Sequence, residues 1–188
     1  LAHGPALGPP EDLALLARFC IENDAIAVCD EVWEHVVFDN VAHQPVIGLP
    51  GMRERTVKIS SAGKIFSLTG WKVGFVMAAP NLMKALSKAH QFLTFTTPPN
   101  LQAAVAYGLG KEDAFFAAMR HDFQEARDYL ASGLADVGFR VLNSRGTYFL
   151  NFDIAPLGET DDAAFCQRLV AEHGVAAIPV SAFFAGDP

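Results

Sequence analysis

Three short apolar runs constrain the fold most: Ala25 to Cys29, Arg55 to Ser60 and Val73 to Ala78. Each is too short for a stable helix and carries the Val and Ile content of strands buried on both faces. The first is preceded by a helical pattern, in which Pro10, Glu11 and Asp12 suit a helix start and Leu13, Leu16, Ala17 and Cys20 recur at helical spacing up to Asn23. The third is followed by another, Pro80 to His90, with proline in the first turn. Strands separated by helices predict an α/β fold with a mainly parallel or mixed sheet. The links from Asp30 to Arg55 and from Ser61 to Gly70 read as largely irregular. Loops at strand ends are where such sheets hold ligands.

Beyond the Pro98-Pro99 break, Asn100 to Leu109 and Asp113 to Val137 read as helices. The second is long and amphipathic through Phe116, Met119, Phe123, Ala126, Leu130 and Leu134, and is expected to join two domains. Residues 1–110 form the larger of these and residues 111–188 the smaller. The smaller is read as strands Phe139 to Leu142 and Thr147 to Phe152, a helix Asp161 to His173 closed by Gly174, and a strand Val175 to Val180. Leu1 to Pro10 reads as loop, and the chain reaches Gly186-Asp187-Pro188 without a closing helix.

A hydrophobic content of 51% over 188 residues is enough for a substantial core. The formal charge of -7 argues against nucleic acid and anionic membrane surfaces as partners. Cys20, Cys29 and Cys166 form no CxxC pair, so neither a disulfide framework nor a zinc site is expected. No run approaches the roughly 18 residues of a membrane helix. A reducing cytoplasm is the expected location.

The chemistry centres on Lys64, at the end of the small-residue turn Ser60-Ser61-Ala62-Gly63-Lys64. An ordinary loop lysine is exposed and solvated. A lysine that forms a Schiff base must instead spend time as a neutral amine, favoured by apolar surroundings or a second cation such as Lys72. Asp30 closes the first apolar run, and the usual role of an acid there is a turn or cap. With Lys64, however, it makes the pair a pyridoxal phosphate enzyme requires, a covalent lysine and a partner for the pyridinium nitrogen. A nucleotide-binding P-loop is excluded, because Lys58 and Ile65 stand where that motif needs glycine and Ser or Thr. His35, His43, His90, His121 and His173 show no metal-ligand spacing, and Glu31 and Glu34 form no evident acid/base pair.

Asp30-Glu31-Val32-Trp33-Glu34-His35, Pro50-Gly51-Met52, Ser61-Ala62-Gly63-Lys64 through Gly74, Thr94 to Asn100 and Gly146-Thr147-Tyr148-Phe149 resemble class I/II aminotransferases of pyridoxal phosphate fold type I. The nearest branch is the kynurenine, methionine and glutamine aminotransferase group. The resemblance implies a partial large domain plus a smaller α/β C-terminal domain, and a chain lacking the family's N-terminal part and extreme C-terminus. It implies transfer of an amino group between an α-amino acid and a 2-oxo acid through Lys64. Asp30 would sit at the ring nitrogen, Val32 against the ring face, and Ser61 and Lys72 at the phosphate. Phe95 would lie on a loop that in related homodimers reaches the partner's substrate pocket; its other reading is a core aromatic beside a helix.

Trp33 departs from the family's usual tyrosine, and either donates in its place or fills the space. Arg145, in a turn between small-domain strands, is not read as the missing carboxylate-clamping arginine. Two other outcomes stay open: a carbon-sulfur β-lyase using the same cofactor, and a non-catalytic truncated chain.

Overall fold

The computed structural model describes residues 10–185. The expected loop before Pro10 and the end at residues 186–188 lie outside them. Helix α1 (Pro10–Glu22) starts on proline with Glu11 and Asp12 in its first turn, where acids favour the exposed N–H groups. It turns Ala17 and Cys20 inward against Ala27, Val46 and Met52. Strands β1 (Ala27–Asp30), β2 (Thr56–Ser61) and β3 (Gly74–Ala78) form one sheet in that order. The β1–β2 pair is parallel, with Asp30 opposite Ile59, and the β2–β3 pair is antiparallel, with Ser61 opposite Gly74.

Burial on both faces holds for β2 alone, where Thr56 and Ser60 are fully enclosed and Val57 and Lys58 nearly so. On the outer strands Val28 is 67% exposed and Val76 and Met77 are about 40% exposed, so the described elements cover the middle of the sheet and leave its flanks open. That corrects the reading of all three runs as doubly buried strands.

A single turn, α2 (Ala62–Ile65), leaves β2 directly. Ala62 packs with Val73 and Val105 and with the half-buried Phe66 and Leu101. Helices α3 (Pro80–Leu93), α4 (Pro99–Leu109) and α5 (Asp113–Asp136) follow close to their expected bounds. Phe66 lies so near Gly108 that a Cβ there would stand 2.9 Å from its ring. Phe116, at the start of α5, is buried and stacks on His35 with centroids 5.1 Å apart.

Two expected strands shrink to two-residue pieces, β4 (Arg140–Val141) antiparallel to β5 (Phe152–Asp153). Instead the chain bends at Thr147 and Tyr148, and before β5 the β4 side engages Asn151 O, which accepts from Leu142 N at 2.8 Å. Thr147 has φ +67° and its hydroxyl accepts from Phe149 N at 3.0 Å, while Ser144 Oγ donates to Gly146 O and Phe149 O. Gly146 bridges back to Val37. Helix α6 (Asp162–His173) is capped by the Asp161 carboxylate and closed by Gly174 at φ +66°. The expected strand Val175 to Val180 is a correction: no described strand pairs with it, Val175 and Ile178 are more than half exposed, and a 3-10 turn follows over Val180–Phe183. An apolar run without a neighbour for its backbone groups does not become a strand.

Candidate active site

Topology assembles the site. Parallel pairing puts the C-terminal ends of β1 and β2 at the same end of the sheet, delivering Asp30 and Ser61 there. Because β3 runs the opposite way and starts at Gly74 opposite Ser61, Lys72 enters at that end as well. Asp30 is exposed, and its carboxylate accepts from Val32 N at 3.3 Å. Ser61 caps α2, its hydroxyl accepting from Gly63 N at 3.0 Å. A Cβ on Gly63 would stand 3.1 Å from Thr69 Cα and 3.2 Å from Ser61 Oγ, so glycine lets the turn close. Lys72 is exposed, with φ +56°.

Lys64 projects from α2 into an aromatic slot. Its Nζ donates to Tyr148 Oη at 3.1 Å and lies 5.2 Å from the Trp33 ring centroid and 5.3 Å from that of Tyr148. Trp33 meets Tyr148 edge-on at 4.3 Å and Phe149 at 5.9 Å. Tyr148 has no role in the sequence reading, although its motif contributes to the resemblance. Only the turn at 144–149 brings it across to Lys64.

Beneath the slot lies an ionic cluster that spacing along the chain did not reveal. Lys58, 7% exposed, is paired with Glu34 and lies 3.8 Å from Glu31. Glu34 also accepts from Ser60 Oγ at 2.7 Å, and Glu31 accepts from Val46 N at 3.1 Å and contacts His43 Nε2 at 2.8 Å. Burial pushes the Glu34 carboxyl up, but hydrogen bonds from Lys58 and Ser60 and the Lys58 charge outweigh it and hold it below the usual carboxylate range. Burial lowers His35, against the opposing charge of Glu34. On β1, burial foremost and then the Glu31 charge push the Cys29 thiol up to about 11, which makes it a poor nucleophile. The signal that was available is a lysine in the middle of a strand otherwise fit for burial.

Phe95 stands apart. It is 75% exposed at φ +66° and lines a cavity of about 530 Å³ with Val73, Gly74, Phe75, His90 and Thr96. Tyr148 and Phe149 line a different one of about 430 Å³, with Leu130, Asn151, Phe165 and Ile178.

The donors at this end of the sheet fit pyridoxal phosphate by their chemistry. A primary amine suits its aldehyde, a strand-end carboxylate its ring nitrogen, and a hydroxyl and an ammonium its phosphate. Ser61 Oγ donates only at 3.4 Å to Val73 O, leaving its proton available to a stronger acceptor.

A family model described as aminotransferase class I and II matches residues 6–187. A probable N-succinyldiaminopimelate aminotransferase of Mycobacterium tuberculosis is 45% identical over 183 residues, which are 96% of this chain and 46% of that protein. The methionine aminotransferase of Escherichia coli is 39% identical over 177 residues, covering 94% and 46%. The solved structure of the M. tuberculosis N-succinyldiaminopimelate aminotransferase superposes with a TM-score of 0.93 at 42% identity, over 98% of this chain and 48% of that one. This chain spans about half the length of the curated relatives it matches. It belongs to the class I and II aminotransferases, the pyridoxal phosphate-dependent family of fold type I.

Proposed function

We propose that the protein carrying this chain moves an amino group between an α-amino acid and a 2-oxo acid, with pyridoxal phosphate at the Lys64 end of the sheet. The observation that carries this reading is the gathering of Asp30, Ser61, Lys64 and Lys72 at one sheet end by a parallel and an antiparallel pairing. When bound, the cofactor supplies an aldehyde that condenses with primary amines and a ring that takes up an electron pair from the substrate Cα.

The chain's own residues do the rest. Lys64 would supply the amine and, as a free amine, would be the base that takes the Cα proton and the acid that returns one. Tyr148 Oη, 3.1 Å from Nζ, accepts a hydrogen bond from the free amine and keeps it aimed. Asp30 would set a negative charge at the cofactor's ring nitrogen, Val32 would pack against its ring, and Ser61 and Lys72 would hold its phosphate. Trp33 walls the slot and limits water at Nζ.

The names of the relatives make N-succinyldiaminopimelate and methionine the first donors to try. We also infer a homodimer in a reducing cytoplasm, with Phe95 directed at the partner's pocket and a division into two domains near residue 110. Three free cysteines support the compartment, and among the described residues no helix is long and apolar enough to cross a membrane.

The test is to mix the protein with pyridoxal phosphate, reduce with borohydride and map the modified peptide, then assay 2-oxo acid formation from the two donors. Label confined to Lys64, lost with turnover in Lys64→Ala, is the expected result. Turnover at the parental rate without Lys64 would refute the assignment.

A further inference from the structure

We propose that Glu34, gripped by Lys58 and Ser60, is a positioning residue that sets the Asp30–Trp33 loop against the Ser61–Lys64 turn; this rests on the cofactor-site reading above. The two halves of the site come from different segments. Asp30 and Trp33 belong to a run of turns after β1, and Ser61 and Lys64 to β2 and its continuation into α2. Glu31 N donates to Ile59 O at 2.9 Å, a single backbone tie to β2. Beyond it the turns bond to themselves, Glu34 N to Glu31 O at 3.0 Å and Val36 N to Trp33 O at 2.8 Å, and the next backbone ties, Phe38 N to Arg145 O and Thr147 N to Val36 O at 2.9 Å each, run to the 144–147 turn and not to β2. Side chains make the further attachment. The Glu34 carboxylate takes one bond from Lys58 and one from Ser60, which face the same side of β2, and the next residue is Ser61.

Charge explains why this attachment is specific. A buried ammonium needs a partner, and two carboxylates surround Lys58. Carboxylate and imidazole atoms of Glu31, Glu34 and His43 converge within 4.8 Å, an arrangement able to take a cation, and the Lys58 ammonium sits among them. Buried ion pairs seldom stabilise more than well-packed apolar side chains, but they do discriminate between alternative placements. Glu34 opposes sliding of the loop along β2, because a shift by one residue would set it at Val57 or Ile59, whose side chains point to the other face, and cost it both partners. Trp33, the wall beside Nζ, immediately precedes it in the chain.

The experiment compares the whole protein carrying this chain with Glu34→Gln, Lys58→Met and the double variant Glu34→Gln/Lys58→Met. Readouts are the thermal midpoint without cofactor, hydrogen exchange at the amides of residues 33–37, and the rate and extent of borohydride labelling of Lys64 with pyridoxal phosphate. Glu34→Gln alone lowers the midpoint, since it leaves Lys58 with Glu31 alone. In the double variant no unbalanced lysine remains, Glu31 keeps His43 and the Val46 N–H as partners, and the midpoint recovers towards that of the unsubstituted protein. Exchange at 33–37 stays about tenfold faster and labelling about tenfold slower, the scale expected when reacting groups lose sub-ångström placement. Recovery of exchange and labelling together with the midpoint would overturn the proposal and leave the pair a purely structural one. Absence of label on Lys64 in the unsubstituted protein would instead refute the cofactor-site reading. The exchange comparison needs no cofactor and decides the positioning role in that case too.

Discussion

Arg127 on α5 is the strongest tie between the long helix and the loops that carry the site. Its guanidinium holds both oxygens of Asp39 at 2.8 Å, donates to Ser144 O at 2.6 Å and lies 4.9 Å from the Phe38 ring centroid. Gln124 Oε1, one turn earlier, accepts from Asp39 N at 2.9 Å. These contacts clamp the Val37–Gly146 bridge, the hinge of the turn that carries Tyr148 to Lys64. The Asp39 side chain is 41% exposed, so the ion pair is discounted for solvent to at most about 1 kcal/mol. The Ser144 carbonyl left unpaired adds roughly 1 kcal/mol, and the ring contact about 0.5 kcal/mol. Arg127→Ala should therefore cost about 2 kcal/mol, read as a lower urea midpoint at unchanged slope. Lysine cannot form the fork, so Arg127→Lys should recover less than half of this. The Arg127 hydrogen bonds hold the Asp39 carboxyl below its ordinary value despite some opposing burial. Its contribution is thus fully present above the ordinary carboxylate range and is lost as pH falls through the lowered folded value. The gap between Arg127→Ala and the unsubstituted protein should narrow below about pH 4. A cost under about 0.5 kcal/mol, or a gap independent of pH, would refute the clamp.

The remaining predictions concern the slot and its turn. Gly63→Ala should destabilise by about 1–3 kcal/mol, because the new methyl meets Thr69 backbone at 3.1 Å; an unchanged denaturation midpoint would show that the turn yields. Tyr148→Phe keeps a ring near the lysine but removes the hydroxyl, so borohydride labelling of Lys64 should persist while turnover falls about tenfold or more; unaltered turnover would exclude Tyr148 from aiming the amine. If Trp33 donates to the cofactor's ring oxygen, Trp33→Phe should shift the pH dependence of the bound cofactor's visible absorbance; an unshifted titration would leave Trp33 as a wall alone.

Legibility followed the range of the interactions. Helices α1, α3, α4, α5 and α6 fall near their expected bounds because proline starts, apolar periodicity and the Gly174 stop are local signals. The stretch at 147–151 and the run at 175–180 carry the apolar content of strands, but strands depend on partners elsewhere. Sequence content cannot supply a neighbour. The same distinction runs through the site. That Asp30, Ser61, Lys64 and Lys72 meet was legible because each sits at a strand end or a short turn, and sheet topology carries such positions to one place. Tyr148 was not, since its bond to Lys64 spans 84 residues and depends on a local turn rather than on the strand expected there.

The ionic cluster was hidden for a different reason. Along β2 the residues alternate, Thr56, Lys58 and Ser60 on one face and Val57, Ile59 and Ser61 on the other. Alternation of this kind ordinarily marks a strand with one face in water. Yet Thr56 and Ser60 are fully enclosed and Lys58 is 7% exposed. What covers Lys58 and Ser60 is the segment after β1, where Glu31, Glu34 and His43 supply the partners that water would otherwise provide. The polar face of β2 is therefore a recognition surface for that segment, not a solvated one. This reconciles a lysine inside the most buried strand with a loop whose backbone is tied to that strand at Glu31 N alone. Charge complementarity fixes the loop where pairing does not, and the strand that presents Lys58 to it continues directly into Ser61 and Lys64.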